Sequence, residues 1–136
     1  MRFCLMICLL ICVPSSAQEK EKGPDQLFQE LVTYLNLADN IQVIAYFQQS
    51  KRVQLSYQND RDRIDVQLDF YTVLPPSWAK RQNHFEVEVP FVGHSPNKAR
   101  LQFSDRTTSV LCYRAIRDLA ASFGSVNPDA IEPEID

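Results

Sequence analysis

Apolar side chains recur along this chain with two periods, and the changes between them mark its elements. Leu27, Leu31 and Leu35 fall every fourth residue, flanked by Phe28 and Val32, a spacing that lines one side of a helix of about three turns. Pro24-Asp25 opens this helix, with Asp25 as the expected N-cap, and Asp39-Asn40 closes it.

From Ile41 the period becomes two. Ile41, Val43, Ala45 and Phe47 alternate with Gln42, Ile44, Tyr46 and Gln48, and then Val53, Leu55 and Tyr57 alternate with Arg52, Gln54 and Ser56. Ile64, Val66, Leu68 and Phe70 follow, interleaved with Asp65, Gln67, Asp69 and Tyr71. Short polar links at 49–51 and 58–62 join these runs, which predicts three antiparallel strands. Pro75-Pro76 ends the third because proline has no N–H to give the ladder. The stretch from there to Asn83, with the single tryptophan Trp78 and then Lys80-Arg81, is expected to be a loop.

A fourth strand sets Phe85, Val87, Val89 and Phe91 against Glu86 and Glu88, and a fifth sets Ala99, Leu101 and Phe103 against Arg100 and Gln102. A second helix starts near Asp105–Thr108, carries Cys112, Ala115, Ile116, Leu119, Ala120 and Phe123 on one stripe, and ends at Gly124. The order is α-β-β-β-β-β-α. Each strand is apolar on one face and polar on the other, the pattern of an antiparallel sheet covered on one side. The expected fold is therefore an α+β two-layer sandwich: one five-stranded, mainly antiparallel sheet with an N-terminal and a C-terminal helix on a single face.

The first residues change the picture of where the domain begins. Arg2, an unbroken apolar run at 3–13 and Pro14-Ser15-Ser16-Ala17 have the form of a cleavable signal peptide, with cleavage near Ala17. The run is well short of the roughly 20 residues that span a bilayer. Ile7 and Ile11 precede Cys8 and Cys12, where a lipid-modified cysteine would follow a small residue. The expected organisation is a signal peptide at 1–17, a flexible lead-in at 18–24, one domain at 25–126 and a disordered acidic tail at 127–136. That places the mature protein in the periplasm or outside the cell, with no membrane insertion once the signal is removed.

Three of the four cysteines lie in the signal, so the mature chain keeps only Cys112 and no internal disulfide. With a net charge of −3 and no basic face, the sequence lacks the electrostatic footprint of a nucleic-acid binder. At the level of layout, a helix followed by a strand meander resembles cystatin-like folds and small bacterial chaperone-like and lipoprotein domains. The Gln-x-Val-x-Gly run and the paired cysteines of secreted cystatins are missing, so no activity follows from that resemblance.

Candidate chemistry is sparse. His84, Glu86 and Glu88 share one face of the fourth strand, with His94 nearby, but no constrained ligand spacing accompanies them, and the solvated strand face is the preferred reading. Cys112 is in register with Ile116 and Leu119, which makes it a small core hydrophobe before a nucleophile. The carboxylate pairs Asp65/Asp69 and Glu86/Glu88 stand among arginines, and neither a G-x-S-x-G nor a phosphate-cradling glycine loop is present.

No enzyme, cofactor or metal is therefore expected. The sequence points to a module that binds another protein through the uncovered polar sheet face, or by strand addition at an edge, and through the Trp78 loop. The expected contact residues are Trp78, Lys80, Arg81, Arg52, Arg100, Asp65, Asp69, Glu86 and Glu88. The rival readings are a carrier holding a small apolar ligand between helices and sheet and, behind it, a metal-dependent or Cys112-dependent enzyme.

Overall fold

The computed structural model of the protein describes residues 22–59, 61–93, 98–125 and 133. The expected signal peptide, most of the lead-in, the turn carrying His94, and the acidic tail apart from Pro133 lie outside the described residues. The described elements are α1 (Pro24–Leu35), β1 (Ile41–Phe47), β2 (Arg52–Asn59), β3 (Asp62–Asp69), β4 (Ser77–Lys80), β5 (Phe85–Pro90), β6 (Lys98–Phe103) and α2 (Arg106–Ser122). A 3-10 turn at Phe70–Thr72 separates β3 from β4.

The strands form two antiparallel three-stranded sheets, β1-β2-β3 and β4-β5-β6. This overturns the expectation of one five-stranded sheet. The segment read as a loop around Trp78 supplies the sixth strand, β4, with Trp78 across from Val87 and Ser77 across from Glu88. Alternation shows which way each side chain points, but not which strands are neighbours. The neighbours here are set by the link after β3. Its 3-10 turn and Pro75-Pro76 end the first meander, and Val73 then bridges Phe91 to start a new ladder along β5.

The gap between the sheets is closed by a corner. Asn40, 8% exposed, donates its side-chain amide to the Arg100 carbonyl at 2.8 Å and accepts the Gln102 N–H at 3.0 Å. The Asp39 N–H donates to the Gln102 carbonyl at 2.7 Å, and the Ser104 hydroxyl donates to Asp39 at 2.7 Å. The Asn40 carbonyl meanwhile accepts the Gln58 N–H on β2. One carboxamide thus does for the edge of β6 what a neighbouring strand would do, since buried backbone groups must find partners.

The helix ends differ in how they are held. Asp105 caps α2 as expected, accepting the Thr108 N–H at 2.9 Å and the Thr108 hydroxyl at 2.6 Å; these bonds hold its carboxyl below the ordinary range. Gly124 beyond the end has φ 86°, where a side chain would be strained. In α1 the cap is Gly23, with no side-chain bond, and Asp25 lies inside the first turn. Asp25 instead accepts from Lys51 at 2.5 Å across the structure.

Lys51, at the β1–β2 turn with φ 54°, is only 3% exposed. Its ammonium also donates to the Gln48 carbonyl at 2.6 Å and lies 5.7 Å from the centre of the Phe28 ring. Gln48 donates to the Asp25 carbonyl, so the tip of the first hairpin is hooked onto the start of α1.

A bulge between Val43 and Ala45 shifts the register of β1 against β2. Before it Ile41 and Val43 face inward as expected, but beyond it Tyr46 lies across from the buried Val53 and Phe47 across from the exposed Arg52. Phe47, read as a core residue from its position, is 47% exposed, because one extra residue inverts every later side chain. Ile64, also expected inward, is 41% exposed near the start of β3; the other inward strand residues are buried or half-buried, and one core gathers Phe28 and Leu31 of α1, Leu55 and Val87 of the two sheets, and Ile116 and Leu119 of α2.

Two outcomes test this account. Asn40→Ala leaves two main-chain groups of β6 without partners and should lower stability by about 1–3 kcal/mol in chemical denaturation. Asp25 has its carboxyl held below the ordinary range by the Lys51 hydrogen bond, so its contribution is present above the unfolded value and lost as pH falls through the folded one. Asp25→Asn should therefore be less stable than the parent near neutral pH, and the two denaturation midpoints should converge on acidification.

Candidate binding surface

Splitting the sheet splits the expected contact face in two. On the first sheet, Arg52 and Asp69 are cross-strand partners 3.8 Å apart, Gln54 lies across from Gln67, and Asp65 across from Ser56. Arg63 donates to the Ser56 hydroxyl at 3.2 Å. On the second sheet, Glu88 lies across from Arg100 and Glu86 across from Gln102. Arg52, Asp65 and Asp69 are thus one surface, and Glu86, Glu88, Arg81 and Arg100 another.

The Trp78 segment is itself divided by strand geometry. In β4 successive side chains take opposite faces, which puts Trp78 and Lys80 on the same one, while Arg81 just past the strand reaches Glu86 on the other. Trp78 packs against the core, stacked on Phe85 at 5.9 Å, with its indole N–H donating to Ser109 on α2 at 2.9 Å. The Arg106 guanidinium covers the ring at 5.2 Å. The indole N–H and the Arg106 contact fasten β4 to α2, and the Phe85 stack fastens it to β5. Lys80 stands exposed at the end of the strand.

The second sheet has the more organised outer face. Arg81 donates to Glu86 at 2.8 Å, and the Glu86 side chain is only 8% exposed although it lies on the outer side. Arg100 donates to Glu88 at 3.3 Å, and Lys98 stands 3.8 Å from the same carboxylate. The β4–β5 turn closes with the Arg81 N–H on the His84 carbonyl at 2.8 Å. It walls one side of a hollow of about 390 Å³ lined by Arg81, Gln82, Asn83, His84, Glu86, Arg100 and Gln102. Every lining residue is polar, so donors and acceptors make up most of the hollow's surface.

Three of the expected contact residues therefore meet in one place: Arg81, Glu86 and Arg100. Gln82, Asn83 and Gln102 join them without having been singled out as contacts from the sequence. For Gln82 and Asn83 the only advance signal was the short polar link between Arg81 and Phe85, whereas Gln102 already stood on the polar side of the fifth strand. Asn40 and Lys51 were likewise read as turn residues. Nothing in the linear pattern distinguishes a buried polar side chain that bridges elements from a solvated one.

The chemical alternatives meet specific obstacles. Glu86 and Glu88 are each engaged by a guanidinium, and no group of three or more His, Cys, Asp or Glu among the described residues is arranged to hold a metal ion. Cys112 is fully buried on the inner side of α2, and that burial pushes its thiol far above the ordinary range, away from the reactive thiolate. Between helices and sheets, Phe28, Phe70 and Phe91 pack edge to face with centroids 6.2 and 5.3 Å apart. That region is occupied by the protein's own rings, where a carrier would need space. No helix among the described residues is long and apolar enough to cross a membrane.

No family model matches the sequence, and neither curated proteins nor solved structures yield a match to it. The site rests on its own geometry.

The Cys112 environment gives a direct check. A thiol reagent applied to the native protein should leave the Cys112 peptide unmodified by mass spectrometry, and unfolding should expose it to full labelling. Rapid modification of the native state would contradict the burial.

Proposed function

We propose that this chain is an exported, non-catalytic module that binds another protein through the outer face of its second sheet, centred on Arg81, Glu86 and Arg100. The observation that carries the reading is the hollow of about 390 Å³, lined entirely by polar side chains with Glu86 fixed at its floor by Arg81. Cross-strand charge pairs hold that surface in a defined pattern, and a patterned polar surface selects partners by charge and hydrogen-bond complementarity. Export rests on the signal-like residues 1–17, and a periplasmic or extracellular location follows from it.

The same geometry argues against chemistry. General acid–base work needs a carboxyl free to exchange a proton with a substrate, whereas Glu86 and Glu88 each accept from an arginine. Trp78 supports the site from behind by pinning β4 to α2 and takes no direct part in contact. Of the nine residues expected from the sequence, Arg100 and Arg52 now serve as a matched pair, since they are equally exposed on opposite sheets.

The experiment is cross-linking in the native compartment followed by quantification of the partner recovered with each variant. Arg100→Glu should lower recovery by roughly tenfold or more, while Arg52→Glu should leave it near the parent level. Equal recovery with all three proteins would show that the second sheet is not the contact.

A further inference from the structure

The two sheets present four edges, and three are protected. The β6 edge is taken by the Asp39–Asn40 corner. The β4 edge is four residues long and follows Pro75-Pro76. The β3 edge carries Asp62, Arg63, Asp65 and Asp69, the charged armour that keeps edge strands from pairing.

The β1 edge carries a bulge but no cover, proline or charge. Its seven residues, Ile41–Phe47, are uncharged, and the uncharged stretch runs from Asn40 through Ser50. β1 pairs only with β2, and among the described residues no main-chain hydrogen bond from outside the sheet reaches it. Ile44, Tyr46 and Phe47 are 52%, 53% and 47% exposed. The bulge that inverts the strand turns Phe47 to the outer side, so the edge is bordered by apolar side chains where a solvated edge would carry polar ones.

We infer that β1 is a self-pairing edge, and that two copies of this chain join there, antiparallel about a two-fold axis, into a continuous six-stranded sheet. A two-fold contact places the same patch on both partners, so every charge would meet its own sign at close range. The strand that lacks charge altogether is the one edge where that arrangement carries no repulsion. With the two-fold axis between Ala45 and Tyr46, antiparallel pairing sets Ile44 of one strand across from Phe47 of the other, covering both while satisfying the outward main-chain groups. This interface is on the first sheet and does not depend on the reading of the second.

Sedimentation velocity on the purified protein at rising concentration tests the inference. The parent should move from monomer to dimer, and Ile44→Lys with Phe47→Lys should weaken that association at least about tenfold, because the ammonium groups at 44 and 47 of one copy would then face those at 47 and 44 of the other. Both positions are half-exposed, and circular dichroism confirms that the double variant is folded. Ile64→Lys on the opposite edge strand should dimerise as the parent does. Hydrogen exchange on the unaltered protein gives a second readout, with β1 amides more protected at high concentration. A parent that stays monomeric throughout, a folded double variant that dimerises normally, or β1 amides indifferent to concentration would each overturn it.

Discussion

Asn40 holds the place of a missing strand. Two meanders of three strands each have inner faces that belong to one core, yet β1 and β6 do not pair along their lengths. Between them stands a single carboxamide that both donates to and accepts from the β6 backbone, while its own main chain bonds β2. Asparagine suits the task because its side chain carries the same donor and acceptor as a peptide group. Burial makes the arrangement obligatory, since the β6 groups it satisfies have no strand beside them at that point.

Fixing that corner fixes what lies behind and in front of it. Behind, the inner faces converge on α1 and α2, and Trp78 ties the far strand of the second sheet to α2 through Ser109. At the other end of the first hairpin, Lys51 lies over Phe28 and reaches Asp25, so the turn between β1 and β2 is anchored to α1. In front, the outer faces are separate surfaces with different characters. The first mixes a charge pair with exposed apolar residues of β1. The second is mainly polar and concave, with Glu86 nearly buried and held by Arg81.

Much of this was legible in the chain. Leu27, Leu31 and Leu35 announced α1, Cys112, Ile116 and Leu119 announced the inner side of α2, and Asp105 and Gly124 marked its ends. The inward positions of β2, β5 and β6 followed directly from alternation. The misreadings have physical causes. Trp78 fell among breakers and charges, and its strand is only four residues long, too short for a period to show. Phe47 sat at the correct parity for the core until a bulge, which leaves no signature in composition, reversed it. Asp25 was a reasonable cap by residue type, but Lys51 offered its carboxylate a stronger partner from 26 residues away.

Local periodicity therefore determined the helices, the strands other than β4, the antiparallel class and most of the inward set of side chains, because each depends on contacts between near neighbours or on the single choice between water and core. Tertiary structure alone decided that the strands divide three and three, that Arg52 and Arg100 occupy different surfaces, and that Arg81, Glu86 and Gln102 surround one hollow. Those outcomes rest on pairings between distant segments and on buried polar side chains such as Asn40, whose partners are chosen only once the elements have packed.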